Sequence, residues 1–447
     1  MRPSVPSLRA GTSSGPATWD ASRAARRFAL GVVSCALLAC GGLEPSDSAV
    51  RRGERPAAPG AAGSAAPGPG DAGASALPFA DAAAIDPARP VDAGQSDDIY
   101  GQAVPRAESW WVEGGRLHRG DNEVRLHGVN WFGLETQSLA LFGPSQARRT
   151  VVDILMQVKS LGFNALRVPL APESIDPGHA SASWANSGAI DTGREHFEAL
   201  AQAAASVGIY MLWDVHTCAA RVGHVKRSPS DPACGGYDDA AWIADLQTLA
   251  ELALQYAPFV LGIDLFNEPY GLTHDAWRAL AEQGGRAVLE KNPRLLVFVQ
   301  GVGSEGYQGT GVFWGENLTG VHASPIDLPA ARLVYSPHVY GPAIFEQAYF
   351  GAPSFPQNMP SIWDEHFGYL WDAGHAIVPG EFGGRYTGSD QVWQDAFVEY
   401  LRANDAPGYF YWCLNPNSGD TGGLLLDDWR SVNMGKLELL QRLLPMP

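Results

Sequence analysis

The sequence predicts a (β/α)8 barrel, and three observations carry that prediction. From Trp110 onward, eight short and nearly continuous apolar runs alternate with segments of helical period. Runs of that kind suit parallel strands covered on both faces, whereas a one-sided sheet would alternate polar and apolar residues. Glycines stand where helix C-termini favour a left-handed residue. Polar residues gather at the C-terminal ends of the runs, where barrels of this type place their chemistry. A doubly wound sheet would carry a phosphate-binding glycine turn after an early strand, and none is found there.

Taken in order, the apolar runs are 124–131, 164–170, 209–216, 260–268, 295–300, 333–340, 377–381 and 409–415. Residues 112–125, ahead of the first repeat, read as a small hairpin closing the barrel floor. Val151, Leu155 and Val158 recur on one helical face before Gly162, and Phe197, Leu200, Ala204 and Val207 do so before Gly208. Further helical periods lie near 240–257, 274–291, 361–373, 390–403 and 435–444, while the stretch after the fifth run is irregular. Eight such units with loop insertions make up residues 108–447.

What precedes them reads as an address and a spacer. Three Arg within 23–27 lead into the apolar stretch 28–39, whose 12 residues are too few to span a membrane. Leu37-Leu38-Ala39-Cys40 resembles a bacterial lipobox, so residues 1–40 read as a lipoprotein-type signal with Cys40 as the lipidated residue. Of the 60 residues 41–100, 33 are Ala, Gly or Pro. Such a segment cannot bury enough surface to offset its ordering entropy, and residues 41–107 read as a disordered linker. The expectation is an exported monomer, held by lipid at the outer membrane or cell surface, or secreted. No apolar run is long enough for a transmembrane helix, and a net charge of −17 argues against nucleic acid as partner.

The cysteines fit export. Cys218 and Cys234 are expected to form a disulfide closing the loop after the third strand, with Cys413 a buried free thiol. His216, Cys218, His224 and Cys234 match no common zinc spacing, and no metal is expected. The stretch 301–306 has dinucleotide-binding spacing, but Gly309, Gly311 and Gly315 follow where a helix is required. No cofactor is expected.

The second run ends on Arg167, the third on Asp214 and His216, and the fourth on Asn267 and Glu268. The sixth ends on His338 and Tyr340, the seventh on Glu381, and the eighth carries Trp412 and Asn415. Two carboxylates would thus face one barrel mouth, ringed by an Arg, two His, a Tyr and an Asn. A pair about 5 to 5.5 Å apart suits glycoside cleavage with retention, and about 6.5 to 9.5 Å suits inversion.

The stretches LHGVNWFGLET (126–136), SLGFNALRVP (160–169), FNEP (266–269), SPHVYGP (336–342), GEFGG (380–384) and LNPNSGDTGG (414–423) resemble glycoside hydrolase family 5. The last of them, with FPQNMPSIW (355–363), resembles its endo-β-1,4-glucanase (cellulase) branch. The resemblance implies a retaining, double-displacement hydrolase of β-1,4-linked glucan, with Glu268 as acid/base and Glu381 as nucleophile. It also implies Arg167 beside Glu381, Tyr340 orienting that nucleophile, and His216 and His338 supporting the acid or the sugar hydroxyls. Asn267 would bond the 2-hydroxyl, which requires a bulged or turning strand end, because neighbours in a regular strand face apart. Trp412 would floor the reacting sugar, Trp314 and Tyr307 would extend the cleft, and Gln347 would be a polar cleft residue. Two departures concern the subsites: Leu414 stands where a second Trp is frequent, and Phe142 is the only candidate platform after the first strand. Mannan, xylan or mixed-linkage glucan remains an alternative substrate, and a non-catalytic glycan-binding barrel an alternative of another class.

Overall fold

The computed structural model describes residues 96–187, 190–220, 231–303 and 311–444. All belong to the second of the two units into which the chain divides, Phe79–Pro447. The readings placed on 1–40, on Cys40, on the linker up to 95, on His224 and on Tyr307 lie outside the described residues.

Eight strands form one parallel sheet: β1 (Leu126–Asn130), β2 (Ala165–Leu170), β3 (Tyr210–Val215), β4 (Val260–Asp264), β5 (Leu296–Val299), β6 (Leu333–Tyr335), β7 (Ala376–Ile377) and β8 (Gly408–Tyr411). Their order around the sheet is β7-β6-β5-β4-β3-β2-β1-β8, sequential as a barrel requires. The ring closes at its mouth: His338–Tyr340 pairs in parallel with Glu381–Gly383, and Gly383 bridges to Trp412. The sixth and seventh apolar runs are therefore each broken in two. Pro337 and Pro379 stand at the breaks, where a residue without an N–H cannot continue a ladder.

Helices α1 (Val151–Ser160), α2 (Gly193–Val207), α3 (Asp239–Ala253), α4 (His274–Lys291), α5 (Gly388–Ala403) and α6 (Met434–Gln441) cover the outside. Thr150 and Thr192 open α1 and α2, each accepting from the backbone N–H three residues on, and Gly208 ends α2 in the left-handed conformation. After β5 the helix is reduced to the 3-10 turn Thr319–His322, as the irregular sequence there implies.

Alternate strand residues build two cores. Leu126, Ala165, Leu212, Phe298, Val334 and Phe410 fill the barrel interior, together with Trp110, Val112 and Leu117 from below. Val129, Leu166, Trp213, Val297, Tyr335 and Tyr411 face the helices. The floor is the expected hairpin enlarged by a strand, Trp110–Glu113, Arg116–Arg119 and Asn122–Glu123, with Trp110 N–H donating to Arg294 O at 3.0 Å.

The described residues include a further pair of strands ahead of residue 108. Ser96–Ile99 and Gln102–Pro105 pair as a hairpin inside the segment read as linker. Ile99 and Val104 are buried, and Asp97 pairs with Arg106 and with the buried Arg332. This apolar pair and this anchored charge hold the hairpin against the barrel. The disulfide Cys218–Cys234 is present, with Cα atoms 5.4 Å apart, and Cys413 is a buried free thiol whose pKa burial pushes up to about 12.

Candidate active site

The site grows out of the barrel's own period. Counting two residues on from the inward positions Gly128, Ala165, Leu212, Gly262 and Phe298 leads to Asn130, Arg167, Asp214, Asp264 and Gln300, all fully buried. The uppermost layer of the barrel interior is therefore polar. Arg167 is its hub, with 0% of its side chain exposed. Its Nε donates to Asp264 Oδ2 at 2.9 Å, and Nη1 donates to Glu381 Oε1 at 2.7 Å and to Asn130 Oδ1 at 3.1 Å. Nη2 donates to Asn267 Oδ1 at 2.9 Å and lies 3.0 Å from Asp214 Oδ2. Burial works against the guanidinium charge, but Asp214, Asp264 and Glu381 outweigh it and raise its pKa.

A second chain of bonds runs from the same hub to the other carboxylate. Asp264 Oδ2 also accepts from Gln300 Nε2 at 2.9 Å, and Gln300 Oε1 accepts the backbone N–H of Glu268 at 2.8 Å. Glu268 sits in the left-handed region at φ 49°, an uncommon conformation for a residue with a side chain. Because β4 ends at Asp264, the chain is turning here, and Asn267 and Glu268 both enter the site. The turning strand end that the resemblance requires is present.

Glu268, from the end of β4, and Glu381, beyond β7, place carboxylate oxygens within 4.8 Å of each other. His338 Nδ1 lies 3.0 Å from Glu268 Oε1 and 3.6 Å from Glu381 Oε2. Tyr340 donates its hydroxyl to Glu381 Oε2 at 2.7 Å. Burial raises both carboxyl pKa values, and the two environments then diverge. The Glu381 charge adds to the effect of burial on Glu268 and drives its pKa well up. On Glu381, Arg167, His216 and the Tyr340 hydroxyl oppose burial. The shared proton therefore rests on Glu268. Burial, then Arg167 and His216, press the His338 pKa well down and keep that ring neutral.

His216 is held by Asp214, Nδ1 to Oδ2 at 2.6 Å, and its ring lies parallel to Trp412 with centroids 5.9 Å apart. Trp314 stacks on Tyr270 at 5.1 Å, and the adjoining Gly315 lies against Glu268, where a Cβ would stand 3.5 Å from its Cγ.

Gln347 packs against Gly311 on the loop that carries Trp314. Asn415 does not face the carboxylates; its amide clasps the backbone of Phe132, donating to the carbonyl at 3.0 Å and accepting from the N–H at 3.1 Å. Asn130, Asp264 and Gln300 were not singled out from the sequence. The period of two within each strand is the signal that finds them. Among the described residues, Glu268, His338 and Glu381 are also the cluster whose donor atoms could share a metal ion, so such an ion would compete with the sugar for this space.

Two carboxyls at this separation, one protonated and one held ionised by a guanidinium, suit the cleavage of a glycosidic bond. Barrel and site together define a glycoside hydrolase. Residues 121–418 match the family model Cellulase (glycosyl hydrolase family 5), and the chain belongs to that family. It is 41% identical over 339 residues to the major extracellular endoglucanase of Xanthomonas campestris, covering 72% of this chain and 68% of that protein. It is 37% identical over 387 residues to an endoglucanase of Paenibacillus polymyxa, covering 77% of this chain and 91% of that one. Among solved structures, an endocellulase from Pyrococcus horikoshii in complex with cellotetraose superposes with a TM-score of 0.70 at 33% identity, over 76% of this chain and 99% of that chain.

Proposed function

We propose that this chain is a retaining endo-β-1,4-glucanase in which Glu381 is the nucleophile and Glu268 the general acid/base. The observation that carries the reading is the carboxylate pair within 4.8 Å, divided by Arg167 and Tyr340 on one member and His338 on the other. In the first step an ionised Glu381 oxygen attacks the anomeric carbon, and the bond to the leaving oxygen breaks as Glu268 protonates it. Among the described residues His338 Nε2 is buried without a hydrogen-bond partner, so the ring proton belongs on Nδ1, where it donates to Glu268 Oε1. That leaves Oε2 to carry the acidic proton. Asn267, its carbonyl end fixed on Arg167, turns its amide N–H groups to the sugar.

Once Glu381 is esterified its charge is gone, and with it the like-charge repulsion that held the proton on Glu268. Glu268 can then take a proton from water, whose oxygen attacks the anomeric carbon and releases Glu381. Trp412 offers the apolar face on which the reacting ring rests.

Activity requires Glu268 protonated and Glu381 ionised. The rate is expected to fall as pH rises through the raised Glu268 pKa, and to fall again as pH drops through that of Glu381. Glu268→Gln is expected to lose about 10²- to 10⁴-fold in kcat/KM on carboxymethylcellulose, and to lose far less on an aryl cellobioside whose leaving group needs no proton. Its alkaline limb should disappear. Hydrolysis of carboxymethylcellulose by Glu268→Gln at the wild-type rate would sink the assignment, and rates on mannan and xylan measured alongside test the polymer.

Export is supported by the charged and apolar pattern of 1–40, lipid attachment by Cys40, and a tether by the composition of 41–95. Labelled palmitate is expected to enter the wild-type protein and not Cys40→Ser; equal labelling of the two would refute the anchor. The catalytic domain is read as a monomer.

A further inference from the structure

Lys436 is 1% exposed, a buried cation for which the two steps of the reaction have no use. It stands in the first turn of α6, where the Asn433 side chain accepts its backbone N–H at 3.3 Å. Lysine is almost never buried to this degree unless its charge is paired. Among the described residues no carboxylate stands at salt-bridge distance from its Nζ. The ammonium donates instead to the carbonyl oxygens of Thr421 at 2.9 Å and Gly422 at 3.1 Å, and lies 5.7 Å from the centroid of the Tyr411 ring.

Both carbonyls belong to the loop that follows β8, and that loop leads back to the cleft. Gly422, left-handed at φ 62°, donates its N–H to Ser418 O at 2.9 Å and closes the turn. Inside the turn, Thr421 Oγ1 donates to Ser418 Oγ at 2.7 Å, and Ser418 Oγ donates to Asp420 Oδ1 at 3.0 Å. The same Ser418 oxygen accepts the indole N–H of Trp412 at 3.3 Å. A chain of bonds thus joins the Lys436 ammonium to the Trp412 ring.

Charge-assisted bonds are about twice as strong as neutral ones, and buried carbonyls that lose their donor are costly. The cage therefore depends on the cation. Around it stand Tyr411 on β8, Cys413 just beyond that strand, Asp390 on α5, and Arg385 and Asp420 on the adjoining loops. Burial presses the Lys436 pKa down to about 8, against the opposing influence of Cys413 and Asp390.

We propose that Lys436 is a positioning residue for glycoside cleavage: its ammonium locks the loop 418–422, and Ser418 of that loop fixes the Trp412 ring beneath the reacting sugar. The inference rests on the functional reading of the same site. Below about pH 8 the protonated lysine keeps the cage closed, and as pH rises through that value the cage loosens.

The test assays each variant on an aryl cellobioside, well below its own unfolding midpoint. Lys436→Met is expected to lower kcat/KM about tenfold in the wild-type background and less than about twofold in Trp412→Ala, where the platform it holds is gone. Ser418→Ala cuts the same chain at its other end and is expected to cost about threefold, with the same loss of effect in Trp412→Ala. If Lys436→Met does not fold, Ser418→Ala carries the comparison between backgrounds. Binding of cellotetraose is then followed in Glu268→Gln, in which the acid/base no longer titrates. It should weaken about threefold between about pH 7 and 9, and show no such step when Lys436→Met is added. Equal losses in the two backgrounds, no loss from either variant, or a pH step that survives Lys436→Met would overturn the positioning role. Failure of the wild type to hydrolyse the aryl cellobioside would instead overturn the functional reading, while the pH step in binding still decides the cage.

Discussion

Glu381→Ala is expected to lower kcat on carboxymethylcellulose by at least about 10⁴-fold, the largest effect of any single substitution in this chain. The alanine leaves the anomeric carbon without an attacking group, while Glu268 and Trp412 stay in place. The vacated space faces Arg167 and the Tyr340 hydroxyl, both donors oriented toward an anion. Added azide should therefore restore turnover and yield a glycosyl azide of inverted configuration. In the wild type, a 2-deoxy-2-fluoro cellobioside with a good leaving group should trap an ester that peptide mass spectrometry locates on Glu381. Label on any other residue, or more than about a hundredth of wild-type activity in Glu381→Ala, would contradict the nucleophile assignment.

Arg167→Met is expected to be the most destabilising change at the site. It keeps much of the side-chain volume and removes the counter-charge from Asp214, Asp264 and Glu381, all buried. Breaking a buried ion pair on one side costs about 3 to 5 kcal/mol because the remaining charge is stranded. Burial already pushes the Asp214 and Asp264 carboxyls up to about 7 against the pull of Arg167. Without that pull they should take up protons to relieve the strain, which limits the cost at acidic pH. The unfolding midpoint of the variant should accordingly fall further below wild type at pH 8 than at pH 5. Glu381 loses the strongest influence opposing its burial, so the acidic limb of any residual activity should move to higher pH. A variant as stable as wild type at pH 8 would mean that Arg167 is not the hub described.

Much of the fold was legible because its signals are local. Every apolar run expected as a barrel strand overlaps one, and Gly208 ends its helix in the expected left-handed conformation. The misreadings have local reasons as well. The sixth and seventh runs read as continuous because Tyr335 and Val339 bracket Pro337, and Ile377 and Val378 precede Pro379, whereas the missing N–H groups break the ladder there. The hairpin at Ser96–Pro105 is hidden in a linker composition, since one of the groups that anchor it, Arg332, lies far along the chain. Asn415 was grouped with the cleft residues by its position after the eighth strand. Its amide instead serves the Phe132 backbone, a partner that becomes its neighbour only when β8 closes on β1.

The repeat of strand and helix, the inward and outward alternation, and the strand ends at which ionisable residues collect are all written in the order of residues, because each depends on a period of two or of 3.6 within one segment. The separation of the two carboxyl groups, and the preference of the proton for Glu268, emerge in the folded barrel alone. Those properties arise where β2, β4 and the chain beyond β7 converge: Arg167 reaches Glu381 directly, and Asp264 and Gln300 tie the same guanidinium to the backbone of Glu268. Electrostatic coupling depends on distance through a buried, low-dielectric layer, and separation along the chain does not report that distance.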